Sequence, residues 1–307
     1  MTTSRYEAKT RKSPSAAWKS IHIRCDADTD ELLTGVIRPL MQDAQSSGDV
    51  ARWFFLRYWE EGPHVRIRIQ GDNPQRAGGI ATELCQVSAG WARDHAPVYI
   101  YSQDSFARVS REFASRELVD DASHTLRPHG DVWTPPYKPE NAKYGWGDTL
   151  AAFEQHFCDS SELALENLET TRSQRWSTST AILLTTWFSA DLDIRSAETI
   201  LGRWSSGETQ GENPVQLPPA LASLVEDAQS AAHEAGRSDV LGRWAESLRA
   251  ISRRAGEVAT ASALDICAHL WCNRMGLSLK EELYLRRIAV QALPSADSAS
   301  VGTESEA

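Results

Sequence analysis

Two alternating runs of residues, joined by a turn at Gly62-Pro63, form the segment Trp53-Phe-Phe-Leu-Arg-Tyr-Trp-Glu-Glu-Gly-Pro-His-Val-Arg-Ile-Arg-Ile69. Side chains alternate across a strand, so the apolar residues of the second run share one face. The opposite face carries three basic residues, which are His64, Arg66 and Arg68. The apolar face has to be buried, and a row of like charges on the other face favours a site for an anion or a polar substrate.

The same alternation predicts one strand before this pair and another after it. Residues 21 to 25 mark the first strand, and Pro97 to Tyr101 mark the last. Helical spacing from Asp28 to Leu40 and from Gly71 to Trp91 predicts a helix in each connection. The resulting order of strand, helix, strand, strand, helix, strand is the ferredoxin-like βαββαβ pattern, which places both helices on one face of an antiparallel sheet.

The predicted fold class is therefore α+β, with the βαββαβ sheet over residues 18–102 and a large helical region packed on it. Residues 103–293 form this helical region and complete a single domain. The polar, aperiodic ends at 1–17 and 294–307 are predicted to be a disordered arm and tail. Two segments interrupt the helical pattern, namely a loop rich in proline and glycine at 126–147, of a kind that is often functional, and a solvated linker at 205–214.

The polar sides of three predicted strands are alike in character. His22 and Arg24 alternate with apolar residues in the first strand, as Tyr99 and Tyr101 do in the last. Because the two helices cover one face of the sheet, the opposite face is predicted to be basic and aromatic. Arg57 is assigned to this face as well, although large apolar residues on both sides of it leave the register of its strand ambiguous.

The composition is that of an ordinary globular protein, with 41% hydrophobic and 24% charged residues. No apolar run approaches the roughly 20 residues of a membrane helix, and the N-terminus lacks the apolar core of a secretion signal. A cytoplasmic protein without membrane contact is predicted. The formal net charge of −10 disfavours nucleic acid as a partner. The five cysteines are scattered, which predicts neither a disulfide framework nor a metal site.

Candidate acid and base groups lie on the last two predicted helices. Asp265, His269 and Asn273 follow one another at steps of four and therefore share one helical face. An aspartate one turn before a histidine can fix the tautomer of the imidazole, and the alternative is a hydrogen bond within a helix surface. Ser278 opens a Ser-x-x-Glu capping box, whose usual role is structural, although a capping serine can also face an anion. Tyr284 follows on the same helix, where a core role is the commoner one.

Four segments resemble, in order, the C-terminal domain of lantibiotic dehydratases and its stand-alone relatives in thiopeptide biosynthesis. They are Trp53-Phe-Phe-Leu-Arg-Tyr with Pro-His-Val-Arg-Ile-Arg, Tyr137-Lys-Pro-Glu-Asn-Ala-Lys-Tyr-Gly, Phe157-Cys-Asp-Ser160 and His269-Leu-Trp-Cys-Asn-Arg-Met-Gly276. The resemblance runs from about residue 18 to 292. It implies one of two chemistries, since some members eliminate glutamate from glutamylated serine or threonine of a precursor peptide. Others join two dehydroalanines in a formal [4+2] aza-cycloaddition and expel water and the leader peptide, which leaves the central pyridine of a thiopeptide.

Details of the resemblance favour the pyridine-forming members. Eliminating domains carry an arginine immediately before the glutamate of the Tyr-x-x-Glu segment, whereas here Pro139 precedes Glu140. Those domains continue with Tyr-Gly-Gly, whereas here Trp146 stands at the second glycine. Pyridine-forming members carry a serine and a tyrosine on the last helix, and Ser278 and Tyr284 match them. The resemblance therefore implies a pyridine synthase, with a glutamate-eliminating enzyme as the alternative.

The resemblance also implies roles for particular residues. The expected catalytic residues are Tyr284, Ser278 and His269. The expected substrate-binding residues are Arg57, His64, Arg66, Arg68, Tyr99, Asn273 and Trp146. No cofactor is required. The expected partner is a ribosomally made precursor peptide, which is bound by both its leader and its dehydrated core. A homodimer is left open.

A function without catalysis also fits part of the pattern. An open sheet face with arginines and tyrosines occurs in single-stranded RNA-binding modules. The chain lacks the glycine-aromatic RNP1 motif of such modules, is acidic, and carries about 190 helical residues that such a module does not need. A relative that only binds a leader peptide is the other possibility of this class.

Overall fold

The computed structural model describes residues 18–117, 122–204, 219–256 and 260–293 of the 307-residue chain. Three predicted segments fall outside them, namely the arm at 1–17, the linker at 205–214 and the tail at 294–307. Within the described residues, no helix is long and apolar enough to cross a bilayer.

The sheet is antiparallel and has four strands in the order β2-β3-β1-β4. The strands are β1 at Lys19–Arg24, β2 at Arg52–Tyr58, β3 at His64–Gln70 and β4 at Val132–Trp133. The order places β3 between β1 and β2, as in a split βαβ unit. The α+β class, with an antiparallel sheet and a helical region packed on it, is confirmed.

The fourth strand lies elsewhere than predicted. Residues 97–101 form no strand, and β4 instead pairs with His22 and Ile23. The amide of Val98 does donate to the carbonyl of Asp26 at 2.9 Å, but the next residues leave the sheet, and Tyr99 is 66% exposed. The strand propensity of this segment was overridden because the free edge of β1 is occupied by the loop around β4, which bonds Arg24 through its backbone. The predicted position of Tyr99 on the sheet face is therefore wrong.

The apolar face of the sheet is covered by helices. They are α1 at Thr29–Leu32, a π-helical turn at Leu33–Ile37, α2 at Arg38–Ser46 and α3 at Pro74–Asp94. The side chains of Asp28 and Asn73 accept backbone N–H groups at the starts of α1 and α3. Ile21, Ile23 and Ile67 are fully buried under these helices, and burial of such side chains contributes about 2 kcal/mol each.

Beyond residue 102 the described part of the chain is mainly helical, as predicted. Its helices are α4 at Gln103–Glu117, α5 at Asn141–Tyr144, α6 at Asp148–Asn167, α7 at Arg172–Ser189, α8 at Ile194–Trp204, α9 at Leu221–His233, α10 at Val240–Ala255, α11 at Ala261–Arg274 and α12 at Leu279–Gln291. Three tryptophans in α7, α10 and α11 are fully buried among them, which are Trp187, Trp244 and Trp271.

Side chains of the helical region complete the hydrogen bonding of β2, the edge strand. The hydroxyl of Ser161 accepts from the amide of Phe55 at 3.1 Å, and Nε of Arg274 donates to the carbonyl of Phe55 at 3.0 Å. Asn273 accepts from the amide of Arg57 at 2.9 Å and donates to its carbonyl at 2.8 Å. Edge strands expose unpaired backbone groups, and here α6 and α11 pair with them and hold the helical region against the sheet.

Candidate functional site

The register of β1 and β3 brings the predicted basic residues together. His22 lies opposite Arg66 and Arg24 lies opposite His64, so all four side chains project from the face that α1 to α3 leave uncovered. Arg68 lies on the same face, two residues along β3. The predicted grouping on one face is confirmed, and we call His22, Arg24, His64, Arg66 and Arg68 the basic face.

A continuous row of rings crosses the basic face from α4 to β4. Successive ring centroids lie 4.9–5.8 Å apart, in the order Phe113, Trp59, Tyr58, His64 and His22. Trp133 of β4 packs against both histidine rings at 5.1 Å. Ring pairs at these distances contribute about 0.5–1.5 kcal/mol beyond their buried area. The row therefore forms a rigid aromatic surface on the basic face.

The two arginines of β3 have different partners. Arg66 lies 3.3 Å over the ring of Tyr58 and forms an ion pair with Glu60 at 3.1 Å. Arg68 donates to the carbonyl of Ile67 at 3.1 Å and forms no ion pair within the described residues. Burial, and then the neighbouring positive charge of Arg66, lower the pKa of Arg68 to about 10. A half-buried guanidinium without a carboxylate is costly unless an anion or carbonyl groups bind to it.

The histidines of the basic face are neutral at physiological pH. Burial and then the charge of Arg66 lower the pKa of His64 to about 3. Burial and then Arg68 and Arg66 lower the pKa of His22 still further. Nδ1 of His64 donates to the carbonyl of Gly62 at 2.8 Å, so its Nε2 can accept from Arg66 at 3.0 Å. Nε2 of His22 is buried and has no hydrogen-bond partner.

Stability is expected to fall in mild acid because of buried neutral histidines. His64 and His156 both have a pKa lowered to about 3, chiefly by burial. Unfolded histidines bind protons near pH 6.5 and these folded ones only near pH 3, so their contribution is present above pH 6.5 and is lost as the pH falls below it. Between pH 6.5 and 5.5 we expect the free energy of unfolding to drop by about 1 kcal/mol for each.

Urea unfolding at the two pH values measures this loss. His156 lies in the interior between α6 and α10, where its Nδ1 donates to the hydroxyl of Ser247 at 2.9 Å. A His156→Gln protein should lose its share of the pH dependence, which is about a third of the combined effect because His22 is buried and neutral as well. A free energy of unfolding that stays constant between pH 6.5 and 5.5 would show that these side chains are protonated in the folded protein.

The predicted functional loop at 126–147 lies against the basic face. Trp133 contacts both histidine rings, and the ring of Tyr137 lies 5.8 Å from the guanidinium of Arg68. His129 anchors the loop, because its Nδ1 accepts from the amide of Asp26 at 3.0 Å and its Nε2 donates to the carbonyl of Ala92 at 3.0 Å. The loop and the sheet thus form one surface, with Tyr137 and Trp133 as aromatic contacts that the sequence analysis did not identify individually.

Trp146 is 76% exposed at the end of this loop, two residues before α6. An indole left this far in solvent exposes a large apolar surface that a bound molecule could cover. Its exposure agrees with the prediction that it contacts a bound molecule, and it remains a prediction.

Arg57 and Asn273 do not lie on the basic face. Arg57 is opposite Val65 in the register, which puts its side chain on the apolar side of the sheet. There its guanidinium forms an ion pair with Asp30 and donates to the carbonyl of Arg274. Asn273 is held by the backbone of Arg57. The assignment of Arg57 to the basic face is wrong, because β2 has apolar residues on both faces and its phase could not be read from the sequence.

The predicted catalytic residues lie on α11 and α12 and the loop between them, and within the described residues no contact joins them to one another. Nδ1 of His269 lies 2.8 Å from a carboxylate oxygen of Glu282, and its ring lies 4.4 Å from that of Trp204. Ser278 caps α12 through a complete capping box with Glu281, as expected of Ser-x-x-Glu. The ring of Tyr284 lies 5.8 Å from that of Trp176 in α7.

The expectation that Asp265 fixes the tautomer of His269 is wrong. The carboxylate of Asp265 is buried, pairs with Arg286 at 2.6 Å and accepts from Trp187 at 2.9 Å. A shared helical face did not make Asp265 and His269 partners, because the buried guanidinium attracts the aspartate more strongly. Glu282, thirteen residues beyond His269, takes the position expected for Asp265.

The two groups of predicted residues are separate in the structure. Within the described residues, no hydrogen bond, ion pair or ring contact joins His269, Ser278 or Tyr284 to the basic face. A cleft of about 190 Å³ lies elsewhere, and its lining includes Arg38, Arg52, Asp159 and Glu166 but none of the predicted residues. In the part of the chain that the structure describes, no group of three or more His, Cys, Asp or Glu side chains is placed to hold a metal ion.

Comparisons with known proteins agree with the architecture. The family model described as lantibiotic biosynthesis dehydratase C-term matches residues 18–293. A solved structure of the pyridine synthase TbtD from thiomuracin biosynthesis has a TM-score of 0.73 at 17% identity, over 90% of this chain and 97% of that one. The structure of TsrL has a TM-score of 0.61 at 16% identity, over 90% and 94% of the two chains.

A third similar structure is that of the tRNA-dependent lantibiotic dehydratase MibB from Microbispora sp. 107891. Its TM-score is 0.51 at 16% identity, and the match covers 95% of this chain and 29% of that one. At these identities the three structures show a shared fold. No curated protein sequence matches the chain.

Proposed function

Because the chain belongs to the lantibiotic biosynthesis dehydratase C-terminal family, we propose that it is an enzyme that forms the central pyridine of a thiopeptide. It joins two dehydroalanines of a modified precursor peptide in a formal [4+2] cycloaddition and expels water and the leader peptide. The fold shared with the pyridine synthase TbtD over nearly the full length of both chains supports this proposal.

The observation that carries the proposal is an arginine without a carboxylate partner on the basic face. Arg68 is half-buried and has no ion pair within the described residues. Such a group costs about 1–3 kcal/mol until further acceptors reach it. A peptide supplies carbonyl acceptors for the guanidinium. The basic face therefore has the chemistry of a peptide-binding surface.

The reaction requires an amide next to a dehydroalanine to become an imidic acid, which then serves as a 2-azadiene. This change removes a proton from the amide nitrogen and adds one to its oxygen, so an acceptor and a donor have to be placed on one amide. We assign donation of the proton to the amide oxygen to Tyr284, and orientation of the amide to Ser278 and His269. Arg66 and Arg68 lie on the separate basic face, where they bind the leader peptide.

We infer that one precursor peptide contacts both sets of residues. An extended peptide advances about 3.3 Å per residue, so ten residues span roughly 33 Å. The leader is bound by the basic face and the loop at 126–147, with Trp146 against the ring-rich core peptide. The dehydroalanines then lie at α11 and α12. Acidic leader residues complement the arginines of the face.

Glutamate elimination is the second candidate. The guanidinium of Arg68, which has no ion pair within the described residues, also suits the carboxylate of a glutamyl ester, and the chain shares its fold with the dehydratase MibB. The position before Glu140 is Pro139, which cannot supply a second cation. The pyridine-forming reaction remains the better supported of the two.

Mass spectrometry of two incubations tests the proposal. With a doubly dehydrated, azole-containing precursor, pyridine formation releases water and an amidated leader, whereas loss of glutamate from a glutamylated precursor identifies elimination. A Tyr284→Phe protein should bind the precursor without forming the macrocycle, and a Tyr101→Phe protein, changed at an exposed ring, should react normally. A protein that binds precursor but yields neither product would be a binding module.

A further inference from the structure

A chain of charged groups leads from the partly exposed ring of His269 into the protein interior. One carboxylate oxygen of Glu282 lies 2.8 Å from Nδ1 of His269, and the other accepts from Nε of Arg286 at 2.9 Å. Nη1 of Arg286 donates to Asp265 at 2.6 Å. The side chain of His269 is 27% exposed, whereas those of Glu282 and Arg286 are 3% and 0% exposed. The carboxylate of Glu282 is therefore held in place by Arg286 while it contacts His269.

The charge of Glu282 sets the direction of the hydrogen bond. Burial alone would raise the pKa of Glu282, but the charges of His269 and Arg286 outweigh it and hold the pKa below its usual value. An ionised carboxylate only accepts hydrogen bonds, so Nδ1 of His269 has to carry the proton. In the neutral ring Nε2 is then left with its lone pair, and it has no hydrogen-bond partner within the described residues.

Trp204 fixes the orientation of the same ring. Its indole lies 4.4 Å from the imidazole and 4.9 Å from the guanidinium of Arg286. The indole is itself held, because Nε1 donates to Asp265 at 3.0 Å. Rotation of His269 about its side-chain bonds would break both the ring contact and the bond to Glu282. Tautomer and orientation are thus set together.

We propose that Glu282 is the positioning residue of His269 and that it keeps the proton on Nδ1 so that Nε2 can take a proton from the substrate. Asp265, the neighbour on the same helical face, serves instead to hold Arg286. The proposal rests on the proposed function only for the identity of the substrate. In the reaction the proton moves from the substrate amide to Nε2, Glu282 balances the imidazolium charge, and the proton then leaves with the departing group.

The Glu282→Gln protein should reverse the tautomer. The amide oxygen is the only acceptor that glutamine can offer to Arg286, so its NH2 group turns toward Nδ1 of His269. Nδ1 then has to accept, and the proton moves to Nε2. Nitrogen-15 NMR of labelled histidines reads the two tautomers without substrate, and a His269→Ala protein assigns the signal. With precursor, kcat should fall by about 100-fold with little change in KM.

The Asp265→Asn protein is the matched control. It disturbs the far end of the same buried network but leaves Glu282 in contact with His269, so the Nδ1–H tautomer should persist. Should Glu282→Gln fail to fold, Glu282→Asp, which is one methylene shorter, should give a mixture of tautomers. A folded Glu282→Gln protein that keeps the Nδ1–H tautomer would overturn the proposal.

The failure of the proposed function would look different. If neither precursor is converted by the wild-type protein, the reaction has been assigned wrongly, whereas the tautomer signal still reports on Glu282. A reversed tautomer accompanied by unchanged kcat in an active protein would show that His269 takes no part in the reaction and would overturn the catalytic half of the inference.

Discussion

The Arg286→Ala protein is expected to lose about 4 kcal/mol of its free energy of unfolding. Arg286 is fully buried and pairs with Asp265 at 2.6 Å and with Glu282 at 2.9 Å. Its removal leaves two buried carboxylates, one of which keeps only His269 as a cationic partner. Uncompensated buried charge is among the largest penalties that a single substitution can cause.

Urea unfolding of purified protein at neutral pH measures the loss. The control is Arg253→Ala on α10, whose exposed guanidinium pairs with Glu246 at 2.8 Å, and which should change stability by less than about 1 kcal/mol. A triple replacement of Arg286, Asp265 and Glu282 by apolar residues should recover part of the stability, because it removes both stranded carboxylates. A loss below 1 kcal/mol for Arg286→Ala would mean that water reaches the network.

The Arg68→Gln protein is expected to lose about 100-fold in kcat/KM for the precursor with nearly unchanged stability. Arg68 forms no ion pair in the described part of the protein, so its removal strands no carboxylate. A charged hydrogen bond to a bound group is worth about 2–5 kcal/mol, and about 2.7 kcal/mol corresponds to 100-fold. Steady-state kinetics on the precursor, beside an unfolding curve, separates the two effects.

Two further variants test how Arg68 binds the substrate. Arg68→Lys keeps the positive charge but loses the planar fork of donors, and it should restore only part of the rate if two acceptors are bound at once. Arg76→Gln changes an exposed arginine on α3 that pairs with Asp49 at 3.2 Å, and it should react like the wild type. If the Arg68→Gln and Arg76→Gln proteins were equally active, the basic face would have no part in substrate binding.

The strand positions could be predicted where one face of a strand is apolar and the other polar. The alternation from His64 to Ile69 fixed both the strand and its buried side, and the register with β1 then placed His22 beside it. Arg57 was misplaced because both faces of β2 carry large side chains, so no period distinguishes them. Residues 97–101 have the composition of a strand, but a segment more than thirty residues later took the free edge of β1.

The candidate catalytic group shows a similar limit. The capping role of Ser278 follows from four consecutive residues and is confirmed by both halves of the box. The partner of His269 depends on how α11 and α12 pack against each other, which no local spacing encodes. A signal existed nevertheless, since Glu282 and Arg286 stand four residues apart, a spacing that allows an ion pair along one helical face.

The pairing of Ser161, Asn273 and Arg274 with the backbone of β2 has a consequence for any shortened form of the protein. A fragment that ends before α11 would keep the hairpin of β2 and β3 but would lose Asn273 and Arg274. Most of the side chains that bond the free edge of β2 would then be missing. Such a bare border recruits strands from other molecules. The last helices therefore protect the edge of β2 from pairing with other chains. Newly made chains are expected to aggregate most readily before those helices have docked.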